Sequence, residues 1–235
     1  MEGFVMKRTT IEYYKMAVKR AENAMEVIKK ANTAYENECI LAKDALHDGI
    51  LGENGYKEQL EKLTSERDAK IEGALGQIDE VAAEYSAEME DLCRLDGRMI
   101  DDGTMKLLDS GLALSSADWQ ELANKHKDNY VMSRILKARY DANRPKEDEL
   151  VIVRFGQSPQ DRQEVFGNFT RLICNACTSK YMPGNGTADF ASRKDWWNYL
   201  AKASLKKMEP FGDESFDTVE QDFPVEHIQA GPMVF

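Results

Sequence analysis

Residues Thr9 to Leu46, TTIEYYKMAVKRAENAMEVIKKANTAYENECILAKDAL, decide the fold. Ile11, Tyr14, Val18, Ala21, Met25, Ile28, Asn32, Tyr35, Cys39, Ala42 and Leu46 follow one another at alternating spacings of three and four. That is a heptad seam, the stripe by which one long helix packs on another. The spacing predicts an interaction seam running from Ile11 through Tyr14, Val18, Ala21, Met25, Ile28 and Asn32 to Tyr35. Asn32 is its one polar member, and a lone buried Asn fixes register or partner number at some cost in stability. Lys, Glu and Asp fill the other faces, as a solvated face requires. Thr9 and Glu12 fit a capping box at the helix start.

The pattern stops at His47–Gly55 (HDGILGENG), where three glycines break the helix. It resumes at Tyr56, Leu60, Leu63, Ile71, Ala74, Ile78, Val81, Tyr85, Met89 and Leu92, and Asp96-Gly97 reads as a stop. Two arms of nearly equal length, each about 55 Å at 1.5 Å per residue, joined by a glycine-rich loop, predict an antiparallel hairpin over 1–95. The rival is an extended rod that dimerises in parallel. Either way the outer flanks of both seams need cover, from the C-terminal half or from another copy.

Residues 96–145 read as a cluster of three short helices, opened at Asp102-Gly103-Thr104, at Ser115–Asp118 and at Asp128-Asn129, and closed by Pro145. In 146–208, Leu150–Phe155 has strand character, and Ser158-Pro159-Gln160-Asp161 is a helix start with Pro at the first position. A loop, Tyr181–Thr187, and a last helix, Asp189–Met208, follow. From 209 to 235 the texture changes to seven acidic residues, no Lys or Arg, and spaced aromatics. Phe211, Phe216, Phe223 and Phe235 predict an extended arm that docks on its own body or on a neighbour, since disordered tails are poor in aromatics. The expected class is mainly α: a long N-terminal antiparallel helical hairpin (coiled coil), then short-helix clusters and an extended C-terminal arm.

The 235 residues carry a formal net charge of -11. This argues against direct nucleic-acid binding, which needs basic patches that displace phosphate counterions. The last helix of the middle cluster, with Arg134, Lys137 and Arg139, is too modestly basic to be a DNA-reading helix in that field. No signal sequence and no run of some 18 to 20 apolar residues is seen, so the expectation is a protein made in the cytoplasm, with no membrane partner.

Catalytic patterns are sparse. Cys174-Asn175-Ala176-Cys177 is a CxxC placed late in a helix, where the dipole opposes a thiolate, and its reading is a pair of buried structural thiols. A second CxxC is lacking, and His47, His126 and His227 are scattered, so no zinc set forms and no cofactor is expected. The carboxylates Asp101-Asp102 and Glu88, Glu90, Asp91 read as solvated faces. The glycines of PGNGT do not make a phosphate loop.

The charged coiled-coil start followed by MKLLDSGLALSSADWQELANKHKDNYVMSRIL (Met105–Leu136) resembles uncharacterised coiled-coil proteins of tailed phages and prophages. The resemblance covers about the first 140 residues and carries no functional residue. It implies a non-enzymatic structural or assembly protein, a virion or scaffolding component whose partners are other protein subunits or further copies of itself. The alternative is an acidic inhibitor or adaptor that binds a host nucleic-acid-binding enzyme.

Overall fold

The structure, a computed structural model, describes residues 7–94, 96–143, 153–179, 192–210 and 214–226. Its helices are α1 (Thr10–His47), α2 (Glu53–Leu92), α3 (Asp102–Asp109), α4 (Ser116–Lys125), α5 (Tyr130–Asn143), α6 (Pro159–Thr178), α7 (Arg193–Leu205) and α8 (Val219–Asp222). Among the described residues there is no strand.

The ends of α1 follow from its sequence. The Thr9 hydroxyl accepts from the Glu12 N–H, and the Glu12 carboxylate accepts from the Thr9 N–H at 2.7 Å. At the far end Gly49 takes φ +72°. The Ile50 N–H then reaches the Ala45 carbonyl at 2.8 Å, and the Gly49 N–H reaches that of Leu46. These two bonds are the Schellman closure that a C′ glycine permits. The chain reverses within five residues and enters α2.

α1 and α2 form an antiparallel hairpin. Arg8 donates to Glu84 at 2.9 Å, Tyr13 to Glu88 at 2.7 Å, Arg20 to Gln77 at 2.9 Å, and Thr64 to the Tyr35 hydroxyl at 3.3 Å. From Tyr13–Glu88 through Arg20–Gln77 to Tyr35–Thr64 the number rises along α1 as it falls along α2. Of the two arrangements left open by the heptad pattern, this is the hairpin.

The flanks are covered by the C-terminal half. α6 lies in the groove between α1 and α2. Its Phe166 and Phe169 rings meet Tyr14, and its Gln163 side chain donates to the Ser86 carbonyl. α7 runs back along α1 and α6, with Lys194 paired to Glu22 at 2.7 Å. One main core therefore draws on α1, α2, α6, α7 and α8, with Tyr130 from α5, and so on all four segments expected from sequence. Its base is aromatic: the rings of Tyr13, Tyr14, Tyr85, Phe166 and Phe169 sit 4.5 to 6.3 Å apart, in edge or tilted contact.

The α1 seam differs from expectation at Met25 and Asn32. Ile11, Tyr14, Val18, Ala21 and Ile28 are buried, and Met25 and Tyr35 are half-buried. Asn32 is exposed and fixes no register; Ala24 and Ala31 are the buried residues one position before Met25 and Asn32, and Ala17 is buried alongside Val18. The physical reason is cost and space. A buried amide needs partners, whereas an alanine fits a close helix approach and lets the neighbouring Asn stay in water. The polar pairs from Tyr13–Glu88 to Tyr35–Thr64 set the register instead.

The middle cluster forms its own small core from Trp119, Leu122, Ala123, Leu136, Tyr140 and Val153, with Leu107, Leu108, Leu114 and Phe155 packed against it. Ser115 and Asp118 make a capping box on α4. Asn129 caps α5 by accepting from the Met132 N–H. The Thr104 hydroxyl and His126 Nε2 bond at 2.9 Å inside the cluster. Tyr130, at the start of α5, belongs to the main core and joins the two.

Of the Leu150–Phe155 stretch, Val153–Phe155 is described and is not a strand. The Arg154 N–H and C=O are taken by the Gln120 side chain at 2.9 and 3.1 Å, which supplies the pairing a strand partner would have given. Pro145, the loop Tyr181–Thr187, the residues before Ser192 in the expected last helix, Phe211 and Phe235 lie outside the described residues.

Candidate functional site

The residues chosen from sequence as an interface are largely used up by the chain's own fold. Ile11, Tyr14, Val18, Ala21, Met25 and Ile28 pack in or against the main core, under α6 and α7. In the arm, Phe223 is buried and Phe216 packs against the same core. The described part of the arm docks on its own body. Tyr35 stays within the hairpin, half-buried, with the Arg67 guanidinium 4.4 Å from its ring centroid.

What holds the arm was not legible as a site. Arg162 is 1% exposed. Its guanidinium donates to the Glu214 carboxylate at 2.7 Å, the Thr10 hydroxyl at 2.5 Å, the Glu209 carbonyl at 2.8 Å and the Tyr85 hydroxyl at 3.4 Å. The other Glu214 oxygen accepts from the Thr10 N–H at 2.7 Å. Burial alone would lower the Arg162 pKa, but Tyr85, Tyr130 and Glu214 outweigh it and hold the pKa above its ordinary value. The signal in the sequence was position: Arg162, Phe166, Phe169 and Ile173 share one face of α6, so the arginine lies on the apolar side of its helix.

Two regions remain open to another molecule. The first is the hairpin tip. Beyond Ala31 on α1 and before Ala74 on α2, Ala42 is the only fully buried residue. Among the described residues no other helix covers this stretch, which extends about 25 Å past the base at 1.5 Å per residue. Ile40 is 58% exposed, Leu41 59% and Ile50 76%. Between residues 32 and 72 ten carboxylates face five Lys or Arg, so the tip is apolar in patches and acidic in field.

The second is a cleft of about 630 Å³ between α5 and the segment leading into α6. Leu92, Tyr130, Val131, Val153 and Phe155 give it an apolar lining, and Arg134, Lys137 and Arg154 give it cations.

The reactive groups singled out from sequence are otherwise engaged. Burial pushes the Cys174 thiol up to about 11 and the Cys177 thiol to about 12, the opposite of an activated thiolate. Cys177 is buried, with its sulfur 3.8 Å from the Ala21 carbonyl. At pH 8, iodoacetamide should modify these two cysteines on the order of a hundredfold more slowly than a free thiol of pKa about 8.5, as read by peptide mass spectrometry. Rates near that of the free thiol would overturn the assignment. Asp101 caps α3; the Thr104 N–H, with help from Lys125, draws its carboxyl down to about 2. Glu88 accepts from Tyr13, and Asp91 pairs with Arg94 at 3.0 Å. Among the described residues no group of three His, Cys, Asp or Glu could hold a metal ion, and no helix is long and apolar enough to cross a membrane.

No protein-family model, no curated protein and no solved structure matches this chain.

Proposed function

We propose that the chain is a non-enzymatic assembly protein that engages other protein subunits, or further copies of itself, through the tip of its α1–α2 hairpin. The observation that supports this is the contrast along one hairpin. One flank of its base is covered by α6, α7 and the described part of the arm, while its tip presents Ile40, Leu41 and Ile50 to solvent. Apolar side chains exposed near the end of a two-helix stalk are costly to leave wet and suit insertion into a partner's apolar groove. The acidic surroundings favour a partner with basic groups around that groove. The resemblance to tailed-phage coiled-coil proteins favours a virion or its scaffold as the larger assembly.

Light scattering of the purified protein, alone and with the proteins of its native particle, tests this reading. Replacing Ile40 and Leu41 by Glu should weaken association by at least about tenfold, each buried Leu or Ile being worth about 1.5–3 kcal/mol. Because both side chains already face water, unfolding stability should change by less than about 0.5 kcal/mol. A monomer at all concentrations that binds no particle protein would sink the proposal, as would association indifferent to the two substitutions.

A further inference from the structure

The cleft between α5 and the segment before α6 is separate from the hairpin tip. Its floor is the C-terminal end of α2 with Leu92 and Cys93, and one wall is the first two turns of α5. The other wall is the extended segment Val153–Gln157. That wall is pinned on both sides: Gln120 holds the Arg154 backbone, and the Gln157 side chain bonds the Lys207 carbonyl at 2.6 Å and the Glu209 N–H at 3.1 Å. Gly156 lets this wall approach the Lys127 backbone closely: a Cβ there would lie 3.0 Å from the Lys127 carbonyl oxygen and push the two segments apart by a few tenths of an ångström. The cleft is thus built from backbone segments fixed in place, and its volume falls within the ~300–1,000 Å³ typical of small-molecule sites.

Its charge is unusual for this protein. In a chain of net charge -11, Arg134 and Lys137 project from α5 one turn apart, and Arg154 comes from the opposite wall. None of the three forms an ion pair with a carboxylate of the described residues, whereas nearby Lys125 and Arg139 pair with Asp101 and Asp109. Two carboxylates also line the cleft. Asp161 is engaged at the start of α6, accepting from the Ser158 N–H and hydroxyl at 3.0 and 2.8 Å, and Glu209 lies at the rim. Cations facing an apolar floor suit a ligand with an acidic head and an apolar body, because the head gains charge-assisted hydrogen bonds while the body buries surface.

We propose that this cleft binds a small amphiphilic anion. A carboxylate, phosphate or sulfonate head sits among Arg134, Lys137 and Arg154, and an aromatic or aliphatic body lies against Tyr130, Val153 and Phe155.

The probe is anilinonaphthalene sulfonate, an aromatic sulfonate that fluoresces when it enters an apolar site. Its fluorescence should rise on mixing with the protein and saturate at one equivalent per chain. Phenyl phosphate should displace it, and inorganic phosphate at the same concentration should not. The triple substitution Arg134→Ala, Lys137→Ala, Arg154→Ala should weaken binding by at least about tenfold, the loss expected when charge-assisted contacts go. Leu41→Glu at the hairpin tip should leave it unchanged. All three cations are exposed, so the triple variant should keep its far-ultraviolet circular dichroism; if it does not, Arg134→Gln alone and the phenyl phosphate competition decide. Binding unaffected by loss of the cations, or abolished by Leu41→Glu, would overturn the proposal. Displacement by a Glu- and Phe-containing peptide but not by phenyl phosphate would overturn the small-molecule assignment.

Discussion

Replacing Arg162 with alanine is expected to destabilise the protein by about 3–5 kcal/mol, the cost of leaving a buried partner charge uncompensated. Four groups lose their donor at once: the Glu214 carboxylate, the Thr10 hydroxyl, the Glu209 carbonyl and the Tyr85 hydroxyl. They come from α1, α2 and two points on the arm, so the loss extends beyond a single ion pair. For a chain of this size, 1 kcal/mol shifts Tm by roughly 2–4 °C, so a fall on the order of 10 °C is expected in differential scanning calorimetry. The arm should also come loose, with limited proteolysis cutting first between residues 209 and 226. Glu214→Gln is expected to cost less, because the guanidinium keeps Thr10 and the Glu209 carbonyl. The double variant Arg162→Met, Glu214→Leu should recover a good part of the loss, since an apolar pair of similar size removes the buried charges altogether. A change under about 1 kcal/mol for Arg162→Ala, with the arm still protected, would show that the network is not what fastens it.

Phe166→Ala is expected to cost a similar amount, about 3–5 kcal/mol, by removing the ring on which the aromatic base is centred. Tyr14 and Tyr85 lie 4.8 and 4.5 Å from it, centroid to centroid, with Tyr13 and Phe169 at 6.3 and 6.0 Å. These neighbours sit on three helices that must stay in place for the rest of the core, so they collapse only partly into the space. Urea unfolding followed by circular dichroism measures the effect, and Phe166→Leu, which keeps most of the volume, should cost much less. Tyr85 touches both Phe166 and Arg162, so the two alanine substitutions should not be additive. If Phe166→Ala were nearly neutral, α6 could not be the helix that fills the α1–α2 groove.

Local signals were legible and tertiary ones were not. Thr9 with Glu12, Ser115 with Asp118, Ser158 with Asp161, and the glycines after His47 fixed where helices begin and end, because caps are satisfied within a few residues of chain. The hairpin followed from equal arms and a short loop. The seam was read correctly at Val18 but one position late at Met25 and Asn32. Close packing prefers Ala24 and Ala31, whose burial depends on what approaches them. The position of Arg162 on the apolar face of α6 hints at burial, but its partner Glu214 is brought beside it from 52 residues away and could not be read locally. The short helix α8 gave no periodic signal within four residues. Neither candidate site was visible: the cleft is assembled from α2, α5 and the segment before α6, and the tip is open only because α6 and α7 cover the base and stop there.

The fastening of the first turn of α1 by Arg162 and Glu214 bears on how the chain emerges from the ribosome. The hairpin is complete in sequence by residue 92, but the residues that roof its base arrive between 159 and 223. At ~5–20 residues per second this is a wait on the order of ten seconds, during which Tyr14, Ala21 and Tyr85 lack the α6 side chains that pack on them. The earliest-made helices are thus the last to be sealed. A nascent chain in that interval offers a chaperone, or a neighbouring nascent copy, the surface that the finished protein hides.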